Sequence, residues 1–237
     1  MFHRRFLAAC AVLVAIGCAE QSAPPPRAAA RVELEQEAPV VDRRPVSTEA
    51  EIGGLSQYDV ERQFRALHPR VIDCVRSASS RLEVIGGSVS VRMRLDRGGN
   101  VRWAYLPDTE LGDREAERCV LDLVKNRRWP RPKGGEGLAE ASFDVEPIEM
   151  PGSLSENRST LLAKRASAAT RKCIRGIRGE FLATAYVAPD GRVLAAGVAP
   201  PDEKGETASD CISDALRELK VKRGRERHAS KVSFSIP

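Results

Sequence analysis

Cysteine and histidine are the residue types with the most chemistry to offer in this chain, and both are sparse. The sequence contains six cysteines, which are Cys10, Cys18, Cys74, Cys119, Cys173 and Cys211. No two cysteines have the short spacing of a zinc site, and no histidine pair supplies it. His68 and His228 lie near no nucleophile motif, and no phosphate loop or dinucleotide fingerprint occurs. The sequence therefore predicts no catalytic residue, no metal site and no cofactor, and His68 and His228 are interpreted as surface residues.

Residues 1–18, MFHRRFLAACAVLVAIGC, have the layout of a targeting segment. A positively charged start is followed by an uncharged run of 12 residues, Phe6 to Gly17. This run is too short for a bilayer span, which needs about 20 residues. Its end, Ala15-Ile16-Gly17-Cys18, resembles the lipobox of bacterial lipoproteins. The resemblance implies a signal peptide over 1–17 and a lipid anchor on Cys18; the alternative is an ordinary signal peptide.

The lipoprotein resemblance also implies a location in the cell envelope. Ala19 follows the anchored cysteine, and in lipoproteins a residue other than Asp at this place favours the outer membrane, facing the periplasm. Residues 18–56 are rich in Pro, Ala and Glu and sustain no hydrophobic period, which predicts a disordered linker. The membrane is therefore an expected partner, reached through the lipid anchor.

Charge argues against nucleic acid as a partner. The formal net charge of +5 falls to +3 once Arg4 and Arg5 leave with the signal peptide, and 33 acidic residues are mixed among the basic ones. Such a balance is typical of an ordinary soluble surface. The run from Arg223 to His228 is interpreted as a solvated turn, with binding to an anionic lipid or partner as the alternative.

The remaining chain contains an internal repeat. Two sets of residues match in order and spacing, namely Cys74, Gly99, Cys119 and Phe143 in the first, and Cys173, Gly191, Cys211 and Phe234 in the second. The glycine and the following cysteine are 20 residues apart in both sets. The distance from that cysteine to the phenylalanine is 24 residues in one set and 23 in the other. We therefore predict two tandem modules, module 1 over 57–149 and module 2 over 152–237.

Each module has the pattern of an α-β-β-α-β unit. Apolar residues recur at helical spacing around each cysteine, whereas Val89 to Leu95 alternates apolar and polar residues as a half-buried strand does. Pro69 suits the first position of the first helix, and Asp113 suits the N-cap of the second. The sequence predicts an α+β fold in which each module is a three-stranded antiparallel sheet with two helices on one face.

The four cysteines of the modules are predicted to form two disulfides. Each lies on the apolar stripe of a predicted helix and is expected to face a core. Because both helices of a module cover the same sheet, the repeat selects Cys74–Cys119 and Cys173–Cys211 among the three pairings that four cysteines allow. An exported domain of this size gains stability from such a bond. Free buried thiols and a zinc site are the alternatives.

Module 1 resembles the AgmX/PglI C-terminal domain, which is related to the C-terminal domain of TonB. The resemblance rests on Val71-Ile72-Asp73-Cys74, Asp96 to Val101, Cys119 and Arg128 to Gly135. Module 2 departs from it, with Lys220-Val221-Lys222 in place of Trp129-Pro130. The resemblance implies a cell-envelope protein and gives a name associated with gliding motility. Trp129 is interpreted as a core residue, and module 1 is expected to carry any contact typical of the family.

We expect a non-enzymatic binding or scaffold lipoprotein, in which an exposed sheet edge pairs with an envelope protein or cell-wall partner. A TonB-like energy transducer or transport accessory is one alternative. The uncharged run and the few prolines disfavour it, because transduction needs a spanning helix and a long stiff spacer. A cell-wall-acting enzyme is the other alternative, and no acid, base and nucleophile can be named for it.

Overall fold

The elements follow the same order twice along the chain. The computed structural model describes residues 46–52 and 54–237. Module 1 contains α1 (Gln57–Ser79), β2 (Gly87–Leu95), β3 (Val101–Thr109), α2 (Arg114–Lys125) and β4 (Gly137–Val145), preceded by β1 (Val46–Ile52). Module 2 contains α3 (Glu156–Ala169), β6 (Phe181–Val187), β7 (Val193–Ala199), α4 (Ser209–Arg217) and β8 (Ser230–Ile236), preceded by β5 (Gly152–Ser153). The fold is α+β, as predicted.

Each sheet has four strands, whereas three were predicted. The strand orders are β1-β4-β2-β3 and β5-β8-β6-β7. All pairs are antiparallel except β5 with β8, which is parallel. The prediction of three strands was wrong because the additional strands lie at sheet edges, where pairing with a neighbour stabilises segments that have no clear pattern of their own.

β1 lies within 18–56, the range that the composition predicts to be a disordered linker. It pairs with β4 from Val46 opposite Phe143 to Ile52 opposite Leu138, with one irregularity between Ala50 and Ile52. The prediction of disorder was wrong for this part, since the open side of β4 supplies the hydrogen-bonding groups that an extended segment needs. The predicted signal peptide 1–17 and the lipidation site Cys18 lie outside the described residues.

α1 begins earlier than the sequence suggests. Its N-cap is Ser56, whose side chain accepts a hydrogen bond from the Asp59 amide, and Pro69 lies inside the helix instead of at its first position. Pro69 is on the exposed side, so the cost of its missing amide is offset by a buried stripe that continues on both sides of it. That stripe consists of Val60, Phe64, Leu67, Val71, Cys74, Val75 and Ala78.

α3 is shorter than α1, although its apolar stripe in the sequence is the longer one. The helix ends at Ala169, a 3₁₀ turn covers Thr170–Lys172, and Cys173 follows that turn. Ile174 and Ile177 still pack against the core of module 2, but from an irregular segment. The periodicity therefore identified Leu162 and Ala166 as buried, whereas Ala169 at the end of the predicted stripe is exposed. It also placed the helix end incorrectly, because an apolar residue in a turn can occupy the same face.

The two β-hairpins have the same geometry. Gly99 and Gly191 both have positive φ, 79° and 90°. The Gly99 amide donates to the Asp96 carbonyl at 3.0 Å, and the Gly191 amide donates to the Ala188 carbonyl at 2.8 Å. Both hairpins also have a register shift just before the turn, after Arg94 in one and after Tyr186 in the other. The hairpins therefore give a common reference for comparing the modules.

When the modules are aligned on their hairpin turns, the residues of β8 that correspond to β4 differ by two positions from those matched in the sequence. Counted from the turns, Val89 corresponds to Phe181, and their partners are Phe143 and Ile236. Phe143 therefore corresponds to Ile236 and not to Phe234. Side chains of a strand return to the same face every second residue, so the sequence match identified the right face at the wrong position.

Two hydrophobic cores follow from this arrangement. One lies between α1, α2 and the first sheet, and the other lies between α3, α4 and the second sheet. Tyr186 and Ala195 belong to module 2 in sequence but pack into the core of module 1. Among the described residues, no helix is both long and apolar enough to cross a membrane.

Candidate functional site

The structure contains both predicted disulfides. The Cα atoms are 5.7 Å apart in Cys74–Cys119 and 5.6 Å apart in Cys173–Cys211, which is the usual separation. The expectation that all four cysteines face a core was wrong, however. Cys74 is buried, whereas Cys211 is exposed, because α4 presents its buried face one residue further along, at Ile212. The bond of module 2 therefore lies at the surface.

Trp129 and Val221 occupy equivalent positions after the second helix of each module. The Trp129 amide donates to the Gly99 carbonyl at 3.0 Å, and the Val221 amide donates to the Gly191 carbonyl at 2.8 Å. Both side chains are buried. The Trp129 indole packs against the Phe64 ring, with centroids 4.5 Å apart and the ring planes tilted by 50°. Trp129 is thus a core residue, as predicted, and is not part of an exposed binding face.

A side chain added at Gly99 or Gly191, the glycines of the hairpin turns, would collide with the backbone that follows the second helix of its module. A Cβ added to Gly99 would clash with the Trp129 carbonyl, and one added to Gly191 would clash with the Val221 carbonyl. Glycine is therefore required by close approach as well as by its positive φ. The segment after the helix is held against the hairpin in both modules, despite the loss of the Trp-Pro motif in module 2.

His68 and His228 have different environments. His68 is half-buried and its ring stacks on Phe143, with centroids 6.3 Å apart, so its interpretation as a surface residue was wrong. His228 is exposed, and its Nδ1 is 3.7 Å from a Glu149 carboxylate oxygen. In the part of the chain that the structure describes, no three His, Cys, Asp or Glu side chains are grouped as metal ligands would be.

Shallow grooves flank α2 on two sides. One of about 540 Å³ lies between α1 and α2, beside Cys119. Another of about 490 Å³ lies between α2 and module 2, beside Trp103. Acidic and basic side chains alternate along both, with Asp122 and Arg118 in each. Such mixed linings do not single out a small ligand.

The two modules differ in how completely the outer sides of β4 and β8 are paired. β1 covers the outer side of β4 from Leu138 to Phe143. The corresponding stretch of β8 runs from Lys231 to Ile236, and β5 pairs only with its first residue and the preceding Ser230. Among the described residues, β8 is therefore paired on one side only from Val232 to Ile236. We call this stretch the open edge.

The direction of the backbone groups on the open edge follows from the contact with β5. The Gly152 amide donates to the Ala229 carbonyl at 3.0 Å, so Ala229 directs its backbone groups toward β5. Successive residues of a strand alternate in this direction. Ser233 and Ser235 therefore present their amides and carbonyls to the open edge, whereas Val232 and Phe234 are paired with β6.

The side chains beside the open edge are less buried than their counterparts in module 1. Val232 and Phe234 pack on the core of module 2 but remain partly exposed. Their counterparts Ala139 and Ala141 are each only 1% exposed. Large apolar side chains thus lie half-covered next to unpaired backbone, which is the arrangement that strand addition completes.

Module 2 uses the other face of its sheet to contact module 1. Thr184 is 1% exposed, and its hydroxyl lies 3.5 Å from the Thr109 carbonyl at the end of β3. The Lys231 ammonium donates to the Gly86 carbonyl at 2.9 Å. A Cβ added to Gly112 would press on Thr184 and Tyr186. This face is thus closed to other partners.

A buried carboxylate lies at the centre of this contact. Glu117 of α2 has no exposed surface, and an added Cβ at Gly197 would clash with its carboxylate. The Val198 amide donates to Glu117 Oε2 at 3.2 Å, and the Thr109 hydroxyl donates to Oε1 at 3.2 Å. Arg114 Nη1 is 3.7 Å from Oε2. Glu117 therefore joins both modules through hydrogen bonds.

Arg114 faces more negative charge than it can neutralise. Its guanidinium donates to Glu206 and to Asp210 of module 2, each at 2.6 Å, and Arg118 also donates to Asp210 at 2.8 Å. Together with Glu117, three carboxylates face two guanidiniums. Burial raises the pKa of Glu117 to about 8, against the lowering effect of Arg114. Burial also raises the pKa of Glu206, whereas the hydrogen bond from Arg118 lowers the pKa of Asp210.

Sequence reasoning did not find this contact, although a signal was present. β6 reads FLATAYV and β7 reads VLAAGVA, so small and apolar residues occupy both faces of each strand. Strands buried on both faces have such sequences. β2, in contrast, alternates Val and Met with Ser and Arg, as a strand with one solvated face does.

No family model, no curated protein and no solved structure matches this chain.

Proposed function

We propose that the chain is a non-enzymatic lipoprotein of the bacterial cell envelope that binds a protein partner through the open edge of β8. The observation that carries the proposal is the contrast between β4, whose outer side is covered by β1, and β8, which within the described part of the chain is paired on one side only from Val232 to Ile236. Unpaired strand edges of this kind accept an extended segment of another protein.

The chain itself contains an example of the expected contact. β1 comes from the end of the linker and pairs antiparallel with β4, at the position that no other described strand occupies beside Val232 to Ile236 of β8. The expected occupant is therefore an extended segment of an envelope protein, antiparallel to β8, with an apolar residue at every second position to cover Val232 and Phe234. Backbone pairing supplies affinity, and the alternating side chains supply specificity.

This proposal assigns the contact to module 2. The sequence favours module 1, because it keeps the residues of the AgmX/PglI resemblance. The equivalent edge of module 1 is occupied by β1, however, and its Trp129 is buried. The resemblance supports an envelope location and a motility-associated role, and the proposal does not depend on the name.

Ser235→Pro tests the open edge. The Ser235 amide points away from β6, so proline removes a donor for the added strand and leaves the β6–β8 pairing in place. A photoreactive side chain at the exposed Pro237, directly after the open edge, should crosslink a partner in cells. We expect this crosslink to be lost in Ser235→Pro and kept in Ser235→Ala, which retains the amide.

Two further variants complete the test. Phe234→Ala removes apolar surface beside the edge and should weaken the same crosslink. A photoreactive side chain at Arg94, on the solvated face of module 1, should not capture that partner. Capture that is equal in Ser235→Pro and Ser235→Ala, with the thermal unfolding midpoint unchanged, would refute binding at this edge.

The lipid anchor is tested separately. The Ala15-Ile16-Gly17-Cys18 sequence implies that Cys18 carries the lipid, so Cys18→Ser should abolish incorporation of labelled palmitate and leave an unprocessed precursor. Cys10→Ser is the matched control and should be processed normally. Unchanged labelling of Cys18→Ser would exclude the anchor without affecting the open edge.

A further inference from the structure

Module 2 carries the excess positive charge of the folded part of the chain. Residues 57–149 contain 16 Lys or Arg and 16 Asp or Glu, whereas residues 152–237 contain 16 Lys or Arg and 10 Asp or Glu, a net charge of +6. Two modules of the same fold thus differ strongly in charge. A difference of this size indicates a difference in what the two surfaces contact.

Much of this charge lies on the segment between α4 and β8. The segment is held against the module at Val221, Gly224 and Glu226. The Val221 amide donates to the Gly191 carbonyl, the Gly224 amide donates to the Pro189 carbonyl, each at 2.8 Å, and Glu226 accepts a hydrogen bond from Arg158. The basic residues lie before, between and after these contacts and are all exposed; they are Lys220, Lys222, Arg223, Arg225 and Arg227.

α3 adds a further cation to the same surface. The Arg165 guanidinium donates to the Lys220 carbonyl, so the exposed Arg165 side chain lies beside the segment. We call Arg165 together with the five basic residues of the segment the basic surface.

Two acidic groups beside the segment, Glu226 and Asp190, already have partners. Glu226 is paired with Arg158, and Asp190 is paired with Arg192 at 2.7 Å. Hydrogen bonds from Arg192 lower the pKa of Asp190, and hydrogen bonds from its own segment and from Arg158 lower the pKa of Glu226. These acids are therefore ionised and engaged, and the six cations of the basic surface outnumber them.

We propose that the basic surface binds the anionic phosphate headgroups of a phospholipid bilayer. Long, exposed Lys and Arg side chains on one surface suit many separate phosphates better than one bound ion. Residues 220–228 contain no Phe, Tyr or Trp that would stack on nucleic-acid bases. The contact would orient module 2 on a membrane, and it requires neither the lipid on Cys18 nor the open edge.

The test uses the chain from residue 18 with Cys18→Ser, which contains every described residue and cannot be acylated. Its binding is measured by cosedimentation with vesicles of phosphatidylglycerol and phosphatidylcholine in equal parts, and with vesicles of phosphatidylcholine alone. We expect binding only to the anionic vesicles and its loss at high salt. Each basic side chain near such a surface contributes about fivefold in affinity, so replacing Lys222, Arg223, Arg225 and Arg227 by Gln should weaken binding at least about 100-fold.

A matched control removes the same charge elsewhere on module 2. Arg171, Lys172, Arg175 and Arg178 are also exposed, beside the Cys173–Cys211 disulfide, and their replacement by Gln should weaken binding much less. Equal loss in both variants would overturn the assignment to the basic surface. Binding to polyglutamate but not to anionic vesicles would overturn the lipid proposal in favour of an acidic protein. Ser235→Pro should leave vesicle binding unchanged, which separates this result from the proposed function.

Discussion

The outer faces of the two sheets occupy equivalent positions and have opposite properties. In module 1, Arg92 pairs with Glu140 at 2.6 Å and Arg94 pairs with Glu136 at 2.8 Å, on a face that remains in contact with water. Counted from the hairpin turns, the same positions in module 2 hold Thr184 and Tyr186, which are buried against module 1. The same fold thus has a charged, solvent-exposed sheet face in module 1, whereas in module 2 the equivalent face is buried against the other module.

This difference lies in side-chain size as well as charge. Trp103 and Tyr105 of β3 correspond to Ala195 and Gly197 of β7. The smaller residues of module 2 make room for the Glu117 side chain, which a Cβ at Gly197 would displace. The small residues of β7 therefore allow close packing against α2 at positions where β3 holds large aromatic side chains.

The largest expected effect comes from truncating one pair of equivalent residues on these two sheet faces. Tyr186→Ala should lower the free energy of unfolding by about 3–5 kcal/mol, as truncation of a fully buried aromatic ring does. Its counterpart Arg94→Ala should cost less than about 1 kcal/mol, because an exposed ion pair contributes little. Urea unfolding of both variants measures the difference. Similar costs for the two variants would show that the outer face of module 2 is not buried against module 1.

The second comparison concerns the residue that closes each core after the second helix. Trp129→Ala should lower the free energy of unfolding by about 3–5 kcal/mol, because the indole is buried and donates to the Val124 carbonyl at 3.0 Å. Val221→Ala removes less apolar volume and should cost about 2 kcal/mol. Urea unfolding measures both values. If Val221→Ala proved the more costly change, the two residues would not play equivalent parts.

The third comparison concerns the disulfides. Each bond closes a long loop, 45 residues in module 1 and 38 in module 2, so its loss should cost about 2–4 kcal/mol. Because Cys211 is exposed and Cys74 is buried, mild reductant should open Cys173–Cys211 first. Timed alkylation followed by peptide mapping measures the order. Faster opening of Cys74–Cys119 would contradict the difference in burial.

Features that depend on the local sequence were predicted better than contacts between the modules. The Asp113 N-cap, which accepts from the Ala116 amide at 2.9 Å, and the two disulfides follow from residue type and spacing. Edge strands depend on neighbours distant in sequence, which explains the error at β1. The error at Pro69 arose because the buried stripe of α1 continues on both sides of an exposed proline. The residues of the open edge carry no signal of their own, since an unpaired edge is defined by the strand that is missing beside it.

The last comparison is a pH dependence of the contact between the modules, whose expected effect is small within any single pH unit. Glu117 has a folded pKa of about 8 against an ordinary value of 4.5, so the folded state holds this proton over a range in which the unfolded state has released it. Stability from this group is therefore fully present below about pH 4.5 and is lost as the pH rises toward 8, with a slope of at most about 1.4 kcal/mol per pH unit.

Glu117→Gln mimics the protonated side chain and should flatten this dependence, whereas the exposed Glu115→Gln should not. Urea unfolding between pH 5 and 8 tests both variants, and a slope that persists in Glu117→Gln would assign the proton to another group of the cluster, with Glu206, whose pKa is also raised by burial, as the first to examine.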